Sequence, residues 1–213
     1  MSPGTIFAIA FSAIFVSNFV LARFLGLCPF IGVTQKTESA LGMGMAVTFV
    51  MFMASFVTYC LYGLILKEDA LLVAADLELV LKTPMYILVI ATLVQLVEMF
   101  MRSQLPRLYD ALGVYLPLIT TNCAIMGVAL LNTTDAPEVI RAVSEESFAG
   151  GLVAASWHGI AAGIGFTLAM LLMSGIRERL AHADVPRPLK GMPIAFLCAG
   201  LMSMAFLGFT GML

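Results

Sequence analysis

Two cysteines share one short pattern. Residues 28–33 read Cys-Pro-Phe-Ile-Gly-Val and residues 123–128 read Cys-Ala-Ile-Met-Gly-Val, so both are C-x-x-x-G-V, 95 positions apart. Thiolates are nucleophiles and soft metal ligands. Two of them brought together could close a disulfide, hold a metal ion or form one edge of a cluster. The other two cysteines, Cys60 and Cys198, lie in Thr-Tyr-Cys-Leu-Tyr-Gly and Phe-Leu-Cys-Ala-Gly. Those flanks indicate packing, since a lone cysteine in an apolar helix behaves as a small hydrophobe.

The elements that must position these thiols are apolar helices. Of the 213 residues 61% are hydrophobic and 11% charged, and the mean hydropathy is +1.02. A soluble domain carries about 25% charged residues, and a water-soluble fold of this length could not hide so much apolar surface. A bilayer is the solvent this composition requires. The net charge of −2 leaves no basic footprint for nucleic acid. The start, Met1-Ser-Pro-Gly-Thr, lacks a basic region ahead of its apolar run, so that run reads as a retained span, not a cleaved leader.

Spans of about 20 apolar residues fall near 4–22, 40–64, 84–101, 111–131, 150–175 and 192–212. The segment 70–81, Ala-Leu-Leu-Val-Ala-Ala-Asp-Leu-Glu-Leu-Val-Leu, is too short and too acidic to span and fits the membrane interface. Loops one, three and five hold eight basic residues, Arg23, Lys36, Arg102, Arg107, Arg177, Arg179, Arg187 and Lys190; loops two and four hold three, Lys67, Lys82 and Arg141. The positive-inside bias then places the odd loops in the cytoplasm and both termini outside it.

The chain also repeats itself. After the cysteine motifs, Glu38-Ser39-x-x-Gly42 matches Glu146-Ser147-x-x-Gly150 at an offset of 108, and Pro84 matches Pro193 at 109. The offset changes once, at the insertion Asn-Thr-Thr-Asp-Ala-Pro-Glu-Val-Ile-Arg-Ala-Val-Ser-Glu-Glu that begins at Asn132. Spans therefore pair one with four, two with five and three with six. The expected fold is all-α and integral to the membrane: a single domain over 1–213, with repeat one at about 1–101 and repeat two at about 111–213. Three spans per half turn the second half upside down. Inverted repeats place functional sites near the midplane, on broken helices. The first span runs into Ala22-Arg23-Phe24-Leu25-Gly26-Leu27-Cys28-Pro29, and the fourth holds Pro117 and Thr120-Thr121-Asn122-Cys123. Both sequences break a simple helix, so spans one and four are expected to be broken, with Cys28 and Cys123 at the breaks.

That symmetry can bring Cys28 and Cys123 together. A buried structural disulfide is disfavoured at a midplane linked to the cytoplasm. Zinc wants four ligands, and the histidines are badly placed, His182 in loop five and His158 in span five. A [2Fe–2S] cluster wants four thiolates. The chain offers two, so a second copy or a related subunit would have to supply the others.

Three stretches carry a resemblance: NFVLARFLGLCPFIGVTQKTESALGMGMA, LPLITTNCAIMGVALLN and IRERLAHADVPRPLKGMPIAFLCAGLMSMAFLGFTG. They resemble the family of Rnf electron-transport membrane subunits, in its RnfA branch, over nearly the whole chain. The chain is also similar to the related E subunit of the sodium-pumping NADH:quinone reductase, although ITTNCAIMGVALLN favours the Rnf branch. The resemblance implies a component of an ion-translocating ferredoxin:NAD⁺ oxidoreductase in the bacterial inner membrane. It implies Cys28 and Cys123 as ligands to the iron of a [2Fe–2S] cluster shared with the homologous, oppositely oriented E subunit. The D and G subunits would be neighbours, among the remaining Rnf subunits. Electron flow would be coupled to transport of Na⁺ or H⁺. No Gly-rich nucleotide fingerprint or basic phosphate cradle is present in the sequence, so NAD and flavin are expected on other subunits.

The remaining polar residues have plainer readings. Glu98 and Arg102 fit an i,i+4 pair at the interface. Asn18, Gln95 and Asn122 fit interhelical hydrogen bonds, Asn122 being notable for adjoining Cys123. Glu38 and Glu146 suit helix starts. Trp157-His158 faces a direction the sequence leaves open. Gly42-x-Gly44, Gly150-Gly151 and Gly159-x-x-x-Gly163 point to close helix contacts. Two other function classes share much of this pattern. A secondary transporter also uses inverted repeats but has no need of the cysteine pair, and a structural scaffold would tolerate loss of both thiols.

Overall fold

The structure is a computed structural model and describes residues 3–63, 75–104, 118–119, 121–133 and 148–209. Every regular element among them is helical. The order is α1 (Pro3–Phe11), a π-helical turn (Ser12–Val16), α2 (Leu27–Val33), α3 (Thr37–Leu61), α4 (Ala75–Gln104), α5 (Cys123–Thr133), α6 (Phe148–Ala181), a 3₁₀ turn (Arg187–Leu189) and α7 (Met192–Leu207). Two of these, α3 and α6, are long and apolar enough to cross a membrane unaided.

The α3–α6 pair is the most extensive helix contact, and small residues make it so. A Cβ on Gly163 would lie 2.6 Å from Thr48 Cα, and one on Gly159 would lie 2.6 Å from Ser55 Oγ and 2.9 Å from the Met51 carbonyl oxygen. Backbones can approach this closely only without side chains between them. Thr48 and Thr167 hydroxyls, 3.3 Å apart, join across the seam. The glycine spacing indicates such a contact, and α6 buries a small-residue face of Ala154, Ala155, Ala161, Ala162 and Ala169.

The outward surface is apolar. Phe7, Leu88, Leu96, Met99, Leu201 and Met204 are each more than 60% exposed. A face of that kind needs hydrocarbon or a partner against it, not water. Buried Phe19, Phe30, Met43, Met51, Ile125, Phe166, Met170 and Met173 form one core with α3, α5 and α6 around it.

The first span is broken, as its sequence indicates. Helix stops at Val16 and resumes at Leu27. Asn18, fully buried, accounts for much of the freed backbone. Its Nδ2 donates to the Ile14 and Gly165 carbonyls, each at 2.9 Å. Its Oδ1 accepts from the amides of Val20 at 3.0 Å and Leu21 at 3.2 Å. Ser203 of α7 donates to the Leu21 carbonyl. Irregular backbone inside a membrane must be satisfied by protein in this way.

One boundary differs from the sequence reading. The segment 70–81 reads as a separate interfacial piece, with span three opening at Pro84. Residues 70–74 lie outside the described residues, but α4 begins at Ala75 and runs straight through Pro84. Proline opens helices readily but also occurs inside them when one lost hydrogen bond is tolerated.

Candidate cysteine site at two helix starts

The two motifs meet. Gly26, two residues before Cys28, has φ +79°, and a Cβ there would lie 2.9 Å from Asn122 Oδ1 and 3.2 Å from Ala124 Cβ. Asn122 and Ala124 are the residues on either side of Cys123. The third neighbour is Phe166 of α6, whose ring would lie 2.8 Å from that Cβ. A left-handed backbone in a space this tight calls for glycine. One turn along α5, a Cβ on Gly127 would lie 2.7 Å from Leu25. The break ahead of Cys28 therefore packs along the first turn and a half of α5.

Each thiol is carried on a helix start. Cys28 is the second residue of α2 and Cys123 the first residue of α5. Both are exposed and free. Asn122 caps α5, its Oδ1 accepting from the Ala124 amide at 3.0 Å. The first-turn amides of a helix start favour a negative ligand. Asn122 is 4% exposed, and its Nδ2 has no hydrogen-bond partner among the described residues. The sequence suggests an interhelical hydrogen bond for Asn122; in the structure it caps its own helix and leaves one buried donor beside Cys123.

The donor set is two thiols. Among the described residues no three His, Cys, Asp or Glu side chains converge. Two exposed thiols on packed helix starts suit one half of a four-thiolate cluster. The amide donor of Asn122, next in the chain to Cys123, is buried and has no partner among the described residues.

The other cysteines are half-buried, and Cys198 packs against the core. Arg23 stands over the Phe19 ring at 5.9 Å. Trp157 donates to the Ile6 carbonyl at 3.0 Å, tying α6 to α1. Glu38 lies in the first turn of α3, whereas Glu146 lies outside the described residues. Glu98 is half-buried and Arg102 exposed, one turn apart on α4.

Two polar clusters have no signal in the sequence. At one end, the Thr37 hydroxyl lies 3.0 Å from Ser174 Oγ and donates to Glu178 at 2.6 Å, with the Thr37 amide donating to the same carboxylate at 2.9 Å. These bonds from Thr37 hold the Glu178 carboxyl below the usual carboxylate range. Beside it, Arg177 donates to the Ile31 carbonyl and to Thr34 of the connection after α2. Deeper in the bundle, His158 Nδ1 lies 2.7 Å from Asn132 Oδ1, and Asn132 Nδ2 donates to Ser55 Oγ at 3.1 Å. Their members are scattered along the chain, and only the fold joins them.

Comparison with known proteins gives one consistent answer. A family model described as "Rnf-Nqr subunit, membrane protein" matches residues 6–213. The chain is 52% identical over 208 residues to the A subunit of the Na(+)-translocating ferredoxin:NAD(+) oxidoreductase complex of Acetobacterium woodii, covering 98% of each chain. It is 48% identical to the A subunit of the ion-translocating oxidoreductase complex of Actinobacillus pleuropneumoniae and 49% identical to that of Shewanella oneidensis, each over 201 residues and 94% of both chains.

Proposed function

The chain belongs to the Rnf-Nqr family of membrane subunits, and from that premise we propose that it carries electrons within an ion-translocating ferredoxin:NAD⁺ oxidoreductase complex. It is a non-autonomous subunit of a redox enzyme. Cys28 and Cys123 supply two of the four thiolates of a [2Fe–2S] cluster. The homologous E subunit supplies the other two from the opposite orientation, with D and G nearby, and electron flow is coupled to transport of Na⁺ or H⁺. The protein lies in the bacterial inner membrane as six spans in two inverted halves, spans one and four broken, with odd loops in the cytoplasm.

The observation that carries this reading is the packing of Gly26 between the neighbours of Cys123. It joins two sequence-distant cysteine motifs at one place and leaves both thiols exposed. When bound, the cluster supplies a one-electron stepping stone inside an insulating layer. This chain's own residues hold the two ligands, shape the break and offer the Asn122 donor.

The test is Cys28→Ser and Cys123→Ser, each in the assembled complex. Each substitution is expected to remove the [2Fe–2S] signal from the electron paramagnetic resonance (EPR) spectrum and to stop electron transfer while the protein still assembles. A signal that survives both substitutions overturns the assignment.

A further inference from the structure

His158 is an ionisable side chain inside the membrane domain, and the cysteine site makes no use of it. It is 5% exposed. Its surroundings fix its tautomer. Asn132 Nδ2 donates to Ser55 Oγ at 3.1 Å and faces the Ala155 carbonyl at 3.4 Å. A carbonyl only accepts, so the amide nitrogen is on that side and Oδ1 faces His158. The 2.7 Å contact is then Nδ1–H donating to Asn132 Oδ1. In the neutral ring the lone pair is on Nε2, which has no hydrogen-bond partner among the described residues.

The place matters as much as the ring. Three elements converge on it: Ser55 from α3, Asn132 from α5, and the break of the first span through Phe19, whose ring centroid is 6.1 Å from that of His158. Discontinuous helices at such a junction are where membrane carriers place their ion sites, and a buried ionisable residue in a membrane is functional by default. The charged group facing the pair is Arg23, on the Phe19 ring at 5.9 Å. From α3 the nearby titratable side chains are Tyr59, which stacks on Phe148 at 5.6 Å, and Cys60. From α5 there is only Cys123, nine residues away, and α1 has none.

We propose that His158 is a proton-binding site in the membrane interior, with Nε2 as the acceptor and Asn132 as the residue that orients the ring. The step forms one N–H bond at Nε2, with the proton drawn from water and no electron moved. The imidazolium keeps its Nδ1–H bond to Asn132, which offsets part of the opposition that burial and the Arg23 cation set against the added charge. A hard cation would instead need several free oxygens, and Asn132 Oδ1 is already engaged. The inference rests on the redox reading above for its role: Asn132 and Cys123 stand at opposite ends of α5, about 13 Å apart at 1.5 Å per residue. A negative charge arriving at the Cys123 end would raise the proton affinity of His158 about tenfold across that distance at an effective dielectric near 20, and the coupling is reciprocal.

The experiment uses the whole complex in liposomes, reduced by one electron while a pH indicator follows proton uptake from acid to neutral pH. The parent complex is expected to take up protons with a pH-dependent stoichiometry. His158→Gln is expected to abolish that uptake while keeping the cluster EPR signal. Asn132→Leu is expected to keep uptake but move its midpoint to lower pH. Uptake unchanged in His158→Gln, or absent from the parent, overturns the proposal. So does loss of the EPR signal together with uptake, which would make His158 structural. If His158→Gln does not assemble, the redox-induced infrared difference spectrum of the histidine-labelled parent decides. Imidazole bands support the site, and their absence overturns it. Survival of the EPR signal in the cysteine variants would sink the cluster reading alone, leaving the proton measurement still readable.

Discussion

Gly26 lies directly against Asn122: a Cβ at position 26 would stand 2.9 Å from Asn122 Oδ1, with Phe166 at 2.8 Å on its other side. The two cysteine motifs are in register because this contact allows no side chain. Gly26→Ala meets both the crowding and the left-handed φ of +79°. It is expected to destabilise the protein by about 1–3 kcal/mol and to weaken or broaden the cluster EPR signal. Thermal unfolding of the purified complex and its EPR spectrum check this together. An unaltered spectrum with unaltered stability would show that the contact does not set the site.

Asn122 has two separable jobs. Its Oδ1 caps α5 through the Ala124 amide at 3.0 Å, and its Nδ2 is the buried donor without a partner among the described residues. Asn122→Ala loses both and is expected to cost about 1 kcal/mol for the cap. Asn122→Asp keeps the cap and removes the donor. The aspartate variant is therefore expected to retain the fold and to lower the reduction potential of the proposed cluster in an EPR-monitored titration, because a neutral amide next to Cys123 in the chain is replaced by negative charge. A potential equal to that of the parent would detach Nδ2 from the site.

The α3–α6 seam predicts a different kind of damage. Gly163→Ala would press on Thr48 Cα from 2.6 Å, where backbone has to move. Overpacking of this kind typically costs about 1–3 kcal/mol. The expected result is a lower melting temperature in detergent, with the cluster spectrum unchanged in complexes that survive. Gly175→Ala is the control, since nothing lies within 4 Å of a Cβ there.

The Thr37–Glu178 contact predicts a pH effect. Its carboxylate is held below the ordinary value of 4.5 by the Thr37 hydroxyl and amide. A lowered folded-state pKa gives stability that is fully present above the unfolded value and is lost as pH falls through the folded one. Acidification below about 4.5 should therefore release the start of α3 from α6, seen as faster amide hydrogen exchange at residues 37–40. Thr37→Val should show that faster exchange already at neutral pH. Equal protection in parent and variant would refute the tether.

Much of this is legible in the residues, for physical reasons. Long apolar runs announce helices such as α3 and α6. Gly26, Pro29 and Arg23 announce the break, because each of them disrupts a simple membrane helix. The start of α4 is misplaced in the sequence because Pro84 resembles a helix opener, and nothing local shows that Ala75 already lies in the same helix. The Ser55–Asn132–His158 cluster cannot be read at all. Its members are 77 and 26 residues apart, and no periodicity links them. Trp157 is undirected for the same reason, since its partner is a backbone carbonyl at Ile6.

The seven residues of α2 are too few to hold a direction by themselves, since isolated helices of that length barely form. Their bearing is borrowed from α6. Phe166 packs against Gly26 just ahead of the short helix, and Arg177 grips the Ile31 carbonyl and Thr34 at its far end. Those two α6 positions stand about 16 Å apart along its axis, against about 10 Å for α2. Cys28 thus rides on a short beam clamped at both ends to a single long rod. Any tilt of that rod against the rest of the bundle would carry the thiol with it and, through Gly26, load the start of α5 that holds Cys123.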